Sequence, residues 1–246
     1  MILTEKSLDG QTAIVTGAGR GIGRAIAVTL AEHGARVALA ARTESELVTV
    51  QQQIEAAGGQ AAVFPTDVSR EADVQALVAG TVQKFGRLDL LINNAAIGVF
   101  GPLAELSTTD WDRVMAINTR GVFLMCRESI PHLKQHAPSA IINISSVVGV
   151  KGYVDQGVYS ASKHAVMGLS GALAKELQAD GIRVHAVCPG GVDTEMVAQS
   201  RPDLDRSVLM RPQEIADIVL FLASRRGGTA VIDQIHVRRA ASTPWA

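Results

Sequence analysis

Tyr159 and Lys163 stand four residues apart in Tyr159-Ser160-Ala161-Ser162-Lys163, a spacing that puts a phenol and an ammonium on one helix face. A phenol with an unperturbed pKa near ~10 is a poor base at neutral pH. A cation beside it favours the phenolate and lowers that pKa, which makes the pair a general acid or base. Taken alone, the spacing also fits an ordinary exposed helix face. Ser145 and Ser146 directly follow the apolar run Ala140–Ile144. If that run is a strand, the serines lie at the carboxyl edge of a sheet, where ligands bind and a hydroxyl can steer a substrate oxygen toward the tyrosine.

A second group of residues suits a phosphate rather than a proton. Thr12–Val15 runs into Thr16-Gly17-Ala18-Gly19-Arg20-Gly21-Ile22-Gly23, and a helical pattern follows. Gly17, Gly21 and Gly23 give GxxxGxG spacing instead of the commoner GxGxxG. The physics is shared: glycine lets the backbone turn sharply and approach a pyrophosphate, whose charge is favoured by the free N–H groups of a helix start. The placement between a first strand and a first helix therefore predicts a dinucleotide cradle.

The end of the second strand predicts which dinucleotide. NAD-selective sites place an acidic residue there, ~20 residues after the glycines, to hold the ribose hydroxyls. This chain reads Leu39-Ala40-Ala41-Arg42-Thr43, with no carboxylate before Glu44. Arg42 can make charge-assisted hydrogen bonds to a 2′-phosphate, and Arg20 can approach from the other side. The alternative is that Arg42 merely ends a strand in solvent. NADP(H) is expected over NAD(H).

Short apolar runs alternate with amphipathic segments along the whole chain, and these must position the two groups. Strands are expected at Thr12–Val15, Arg36–Ala40, Ala61–Pro65, Leu88–Ile92, Ala140–Ile144, Arg183–Val187 and Val231–Val237. Continuous runs such as Leu90-Leu91-Ile92 are how strands covered on both faces read. Helices are expected at Arg24–His33, ending at Gly34, and at Glu44–Ala57, stopping at Gly58-Gly59. Three more are expected: Ser69–Phe85 with a serine cap, Thr109–Leu133 and Val158–Ala179. The alternation predicts an α/β fold with one open, doubly wound, mostly parallel seven-stranded sheet flanked by helices. No repeat or linker marks a second domain, so a short arm over residues 1–7 precedes a single domain over 8–246.

Composition narrows the class further. The chain has 246 residues, with 47% hydrophobic and 19% charged, an ordinary globular balance with ample length for a core. A net charge of −1 gives no electrostatic case for nucleic acid or an anionic membrane. No stretch reaches the ~18 apolar residues of a membrane span, and no secretory leader pattern opens the chain, so a cytoplasmic protein is expected. Cys126 and Cys188 belong to no metal or disulfide pattern and read as small core residues. His132 and His136 are four apart but lack a third ligand, so no metal is expected.

With these motifs in place, the chain resembles the short-chain dehydrogenase/reductase family over roughly Leu8 to Val237. The resemblance is carried by TGAGRGIG at 16–23, NNAA at 93–96, Asn118 within a helix, Ser146, the Tyr159/Lys163 pair and PGGVDT at 189–194. It implies a Rossmann-like fold and reversible hydride transfer between a nicotinamide and a ketone or secondary alcohol. Tyr159 would be the acid/base, Lys163 would depress its pKa and hold the nicotinamide ribose, and Ser146 rather than Ser145 would orient the substrate oxygen. Asn118 would hold a relay water through its backbone carbonyl. Asp67 and Val68 would contact the adenine, Asn94 and Ala95 would line the cofactor, and Pro189, Gly190, Val192 and Thr194 would receive the carboxamide end. Ile22 would belong to the phosphate turn.

The chain also departs from the family. Ala96 replaces the last glycine of NNAG, and Val237-Arg238-Arg239-Ala240 replaces an Asp-Gly-Gly ending. The arginines at 225, 226, 238 and 239 are expected on a solvated face. Residues 195–210 are expected to form a substrate lid, with Met196, Val197, Leu204, Val208, Leu209 and Met210 as an apolar wall and Asp203 and Asp205 facing water. The partner expected is a small-molecule carbonyl or alcohol, and self-association as a homotetramer or homodimer is implied. Three rival readings remain: a 3-oxoacyl-thioester reductase, an NAD-dependent alcohol dehydrogenase, and a non-catalytic dinucleotide-binding sensor or scaffold.

Overall fold

The computed structural model of the chain describes residues 7–200 and 205–243, so most of the expected arm lies outside the described residues. Each apolar run becomes a strand: β1 (Thr12–Thr16), β2 (Arg36–Ala41), β3 (Gln60–Pro65), β4 (Leu90–Asn93), β5 (Ser139–Ile144), β6 (Ile182–Pro189) and β7 (Gln234–Val237). They form one sheet in the order β3-β2-β1-β4-β5-β6-β7, and each neighbouring pair is parallel. The helices are α1 (Gly21–Glu32), α2 (Glu44–Ala56), α3 (Glu71–Phe85), α4 (Thr108–Met115), α5 (Gly121–Gln135), α6 (Gly157–Glu176), α7 (Glu195–Ser200) and α8 (Pro212–Ser224). Among the described residues no helix is long and apolar enough to cross a membrane.

The continuous apolar runs have a direct structural cause. In β1, Ala13 and Val15 face one core while Ile14 faces the other, and β4 divides Leu90 and Ile92 from Leu91 in the same way. One core includes Ile26 and Leu30 of α1 and Val219 and Leu222 of α8. The other includes Leu77 of α3, Leu124 of α5 and Val166 and Leu173 of α6. Each fully buried aliphatic side chain contributes ~1.5–3 kcal/mol, so a strand that lost one face of its pattern would lose half its anchorage. The strand order reverses between β1 and β4, and the carboxyl ends of those two strands open the crevice where a ligand can enter.

Several local expectations are corrected. The helix expected over Thr109–Leu133 is divided by a π-helical stretch, Ala116–Arg120, that carries Asn118. A π turn widens the backbone by one residue and disturbs the regular ladder of carbonyl partners. Ser69 does not cap α3, whose first residue is preceded by Arg70 with no side-chain cap. Ser69 instead donates from its amide and hydroxyl to Asp67 (2.9 and 2.7 Å), which closes a turn before the helix.

The last strand is shorter than expected and begins at Gln234. The carbonyls ahead of it are taken by side chains of β6: His185 Nδ1 lies 2.6 Å from Ile232 O, and Arg183 donates to Ala230 O (3.2 Å). The four C-terminal arginines do not share one solvated face. Arg226 is largely buried, donates to Pro138 O (3.1 Å) and lies 3.9 Å from the buried carboxylate of Asp89. Arg225 stacks over Phe221 at 4.7 Å, and Arg238 donates to the carbonyls of Arg239, Ala240 and Ser242. Ala96 has no left-handed backbone, so the extra methyl is tolerated there.

Candidate active site

The glycine turn is built by steric exclusion. Gly17 and Gly21 have φ of 65° and 54°, which side-chain-bearing residues rarely adopt. At Gly23 the cause is contact: a Cβ there would stand 2.1 Å from Gly17 O and 2.5 Å from Asn94 Nδ2. Asn94 is itself fixed, because its amide nitrogen donates to Thr16 O (2.9 Å) and Gly17 O (3.3 Å). The Thr16 hydroxyl accepts the backbone N–H groups of Asn94 (3.0 Å) and Ala95 (3.1 Å). The loop after β4 is thereby fastened to the loop after β1, and α1 starts at Gly21 with its N–H groups facing the gap.

Arg20 lines the crevice as expected and is also paired: its guanidinium donates to Glu195 at the start of α7 and lies 3.8 Å from Glu46 of α2. Arg42, at the end of β2, is exposed and lines the same end of the crevice. Its charge reaches Asp67. Burial works to raise the Asp67 pKa, but the hydrogen bonds from Ser69, helped by Arg42 and Arg70, hold the carboxyl below its usual range. Val68 is buried and packs against Gly121 at the start of α5.

Ser145, Ser146, Tyr159 and Lys163 meet at the carboxyl ends of β5 and β6. The two serines have different environments. Ser145 is buried and donates to Lys163 O (3.3 Å), while Ser146 donates to Pro189 O (3.3 Å) and lines the crevice with Tyr159. Of the two serines, Ser146 is the one whose hydroxyl acts on the phenol, drawing its pKa down. The Tyr159 ring packs against Phe100, with centroids 5.4 Å apart at a 60° tilt.

Lys163 is buried and donates to Ile144 O (2.9 Å), with its ammonium 5.7 Å from the centre of the Tyr159 ring. Burial pushes the lysine down to about 8 and the phenol up to about 12, the Ser146 hydrogen bond opposing the latter. Burial is the larger influence on the phenol, and the lysine ammonium lies against the ring face with its proton donated to Ile144 O.

Asn118 uses its side chain structurally. Its amide donates to Ile97 O (2.9 Å) and Ser162 Oγ (3.1 Å), and its carbonyl oxygen accepts from Ile97 N (2.9 Å). This pins the loop after β4 to α6, one residue from Lys163. Asn118 sits within the π stretch, where the regular ladder of carbonyl partners is disturbed.

After β6, Pro189, Gly190, Val192 and Thr194 line the crevice, and the Thr194 methyl would lie 3.2 Å from a Cβ at Gly21. The lid is only partly as expected. Met196 and Val197 line the crevice, but Leu209 and Met210 are buried beneath it and Val208 is exposed. The pairing of Met210 with Val192 draws that end of the segment inward. Asp205 is exposed, as expected, and also accepts the amide and hydroxyl of Ser207. Leu204 and Asp203 lie outside the described residues.

All the predicted site residues except Asn118 and Gly23 line one crevice of about 740 Å³, and Gly23 lies packed against Gly17 O and Asn94 Nδ2, whose residues line it. Glu46, Phe100, Arg113 and Ile117 also line it and were not singled out from the sequence. Thr16 was quoted only as the start of the motif, although a hydroxyl closing the first strand could have marked it. The residues present fit a nicotinamide dinucleotide: a cradle that Cβ atoms would fill, a helix start, an arginine at the second strand and a proton donor at the far end.

Comparison with known proteins gives a consistent picture. A family model described as short chain dehydrogenase matches residues 11–205. The 3-oxoacyl-acyl-carrier-protein reductase of Thermotoga maritima is 34% identical over 225 residues, covering 88% of this chain and 92% of the relative. A 3beta-hydroxysteroid dehydrogenase of Mediterraneibacter gnavus is 40% identical over 197 residues, 80% of this chain and 71% of the relative. The crystal structure of a metagenomic short-chain oxidoreductase in complex with NADP is similar with a TM-score of 0.83 and 38% identity, covering 95% of this chain and 99% of that one.

Proposed function

The chain belongs to the short chain dehydrogenase family, and from that premise we propose that it moves a hydride reversibly between NADP(H) and a ketone or secondary alcohol. The observation that carries this reading is the convergence of Ser146, Tyr159 and buried Lys163, its ammonium 5.7 Å from the centre of the tyrosine ring, in the crevice that also contains the glycine cradle. The bound cofactor supplies or takes up the hydride.

The chain's own groups do the rest. Gly17, Gly21, Ile22 and Gly23 hold the pyrophosphate, Arg42 the 2′-phosphate, and Asp67 and Val68 the adenine. Asn94 and Ala95 form a wall, and Pro189, Gly190, Val192 and Thr194 hold the carboxamide. Ser146 orients the substrate oxygen. Tyr159, a phenol with its pKa pushed up to about 12, passes its proton from Oη to that oxygen during ketone reduction. Lys163 holds the ribose hydroxyls and, as an ammonium, stabilises the phenolate left behind. A water on the Asn118 carbonyl reconnects the lysine with solvent.

Two results test the reading. Arg42→Ala is expected to lower kcat/KM for NADPH by ~10–100-fold, the worth of one charge-assisted hydrogen bond, while NADH changes less than threefold. Equal losses for both cofactors would remove the argument for a phosphate contact. The second result concerns pH. With Lys163 lowered to about 8 by burial, reduction is fully active below that value and falls as pH rises through it, because the ammonium is lost. A profile measured from pH 6 to 10 that stays flat or rises contradicts the role given to the lysine.

Substrate class is supported in two directions by the relatives. The Thermotoga relative favours a 3-oxoacyl thioester and the Mediterraneibacter relative a steroid. A panel of acetoacetyl thioester, steroid ketones and small ketones, run with NADPH, separates them. Trp111 on α4 and Phe123 on α5 expose 42% and 46% of their surfaces, which supports the proposed homodimer or homotetramer.

A further inference from the structure

The end of β2 carries no carboxylate, but the fold brings one to the same place from α2. Glu46, in the first turn of that helix, lies along Gly19 of the glycine turn. A Cβ at Gly19 would stand 2.6 Å from Glu46 Oε2 and 2.9 Å from Glu46 Cβ, so the missing side chain is what admits the carboxylate. Its other oxygen, Oε1, lies 3.8 Å from Arg20 Nη1. Arg20, Arg42 and Glu46 all line this end of the crevice. Glu195, from across the crevice, takes the same Arg20 nitrogen. The guanidinium of Arg20 is therefore already engaged by two carboxylates, and Arg42 is the cation at this end without an acidic partner within ion-pair range among the described residues.

An acidic group at this position has opposite effects on the two nicotinamide dinucleotides. A carboxylate accepts hydrogen bonds from ribose hydroxyls, and it repels an added phosphate that carries up to two negative charges. We propose that Glu46 is a selectivity-determining residue for the cofactor. Its carboxylate accepts the adenosine ribose hydroxyl of NADH and opposes the extra phosphate of NADPH, so the enzyme binds both and its preference for NADPH is held down. The inference rests on the reading above that a nicotinamide dinucleotide occupies the crevice. It shifts the source of selectivity from the end of β2 to a three-way balance among Arg20, Arg42 and Glu46.

The test is calorimetric titration of the full-length protein with NADPH and with NADH, which requires no substrate. Glu46→Gln keeps the side chain's size and removes its charge. It is expected to tighten NADPH, weaken NADH and move the ratio of the two Kd values toward NADPH by roughly tenfold, the scale of one partly screened charge beside a phosphate. A shift of at least threefold supports the inference, and a smaller one overturns it. The same substitution in an Arg20→Ala background separates direct action from mere sequestration of the arginine. Persistence of the shift there supports direct contact with the cofactor, and its disappearance overturns it. Failure of wild type to bind either dinucleotide overturns this inference together with the reading beneath it, whereas normal wild-type binding with an unmoved ratio overturns this inference alone.

Discussion

Tyr159→Phe is expected to reduce kcat by ~10²–10⁴-fold while leaving NADPH affinity within about threefold. The substitution removes only the hydroxyl that donates the proton. The ring remains and keeps its tilted packing against Phe100 at 5.4 Å, so no cavity forms. Ser146 keeps its bond to Pro189 O, and the loss of one hydrogen bond changes folding stability by ~1 kcal/mol. Steady-state kinetics together with cofactor titration check this. Turnover within tenfold of wild type would mean that another group donates the proton, and Ser146 would be the first to examine.

Gly23→Ala should be the most damaging single methyl group in the chain. The new Cβ would meet Gly17 O at 2.1 Å and Asn94 Nδ2 at 2.5 Å, and neither can withdraw easily. One is backbone in a left-handed turn, and the other is held by Thr16 O. The turn must open, at a cost of ~1–3 kcal/mol or more for an overpacked core position. We expect a Tm lower by several degrees and cofactor binding weakened at least ~100-fold, since the backbone N–H groups would no longer converge on the pyrophosphate. Gly168→Ala is the control: its added Cβ meets nothing within 4 Å, and in the middle of α6 it should raise stability by ~0.5–1 kcal/mol. An unchanged Tm and Kd for Gly23→Ala would show that the turn relaxes without cost.

The frame of the molecule was readable because burial on both faces writes itself into a strand as an unbroken apolar run. Leu90-Leu91-Ile92 and Ile141-Ile142 are buried in just that way. The glycine turn was readable because its requirement is steric and local. The misreadings share a different cause. Hydrophobicity says that Leu209 and Met210 avoid water, but not whether they face a ligand or the core beneath it. The π stretch at Asn118 answers contacts with Ile97 and Ser162, the latter 44 residues away, and no helical period announces it. The pairing of Arg20 with Glu195, 175 residues later, is likewise invisible from the glycine turn alone. Glu46 is not legible from the strand end, because the helix after it supplies the charge from a different direction.

The stitch between Thr16 and the loop after β4 has a consequence for how the chain reaches its working form. The Thr16 hydroxyl receives amides 78 and 79 residues further along the sequence, so the phosphate cradle is closed by a part of the chain far from it. Local structure alone, β1 with α1 and β2, makes the glycine turn without its far wall. Long loops must close before such contacts repay their entropy, which makes them late and slow to form. The far wall of the cradle is therefore in place only in a chain whose β1–β4 pairing is complete.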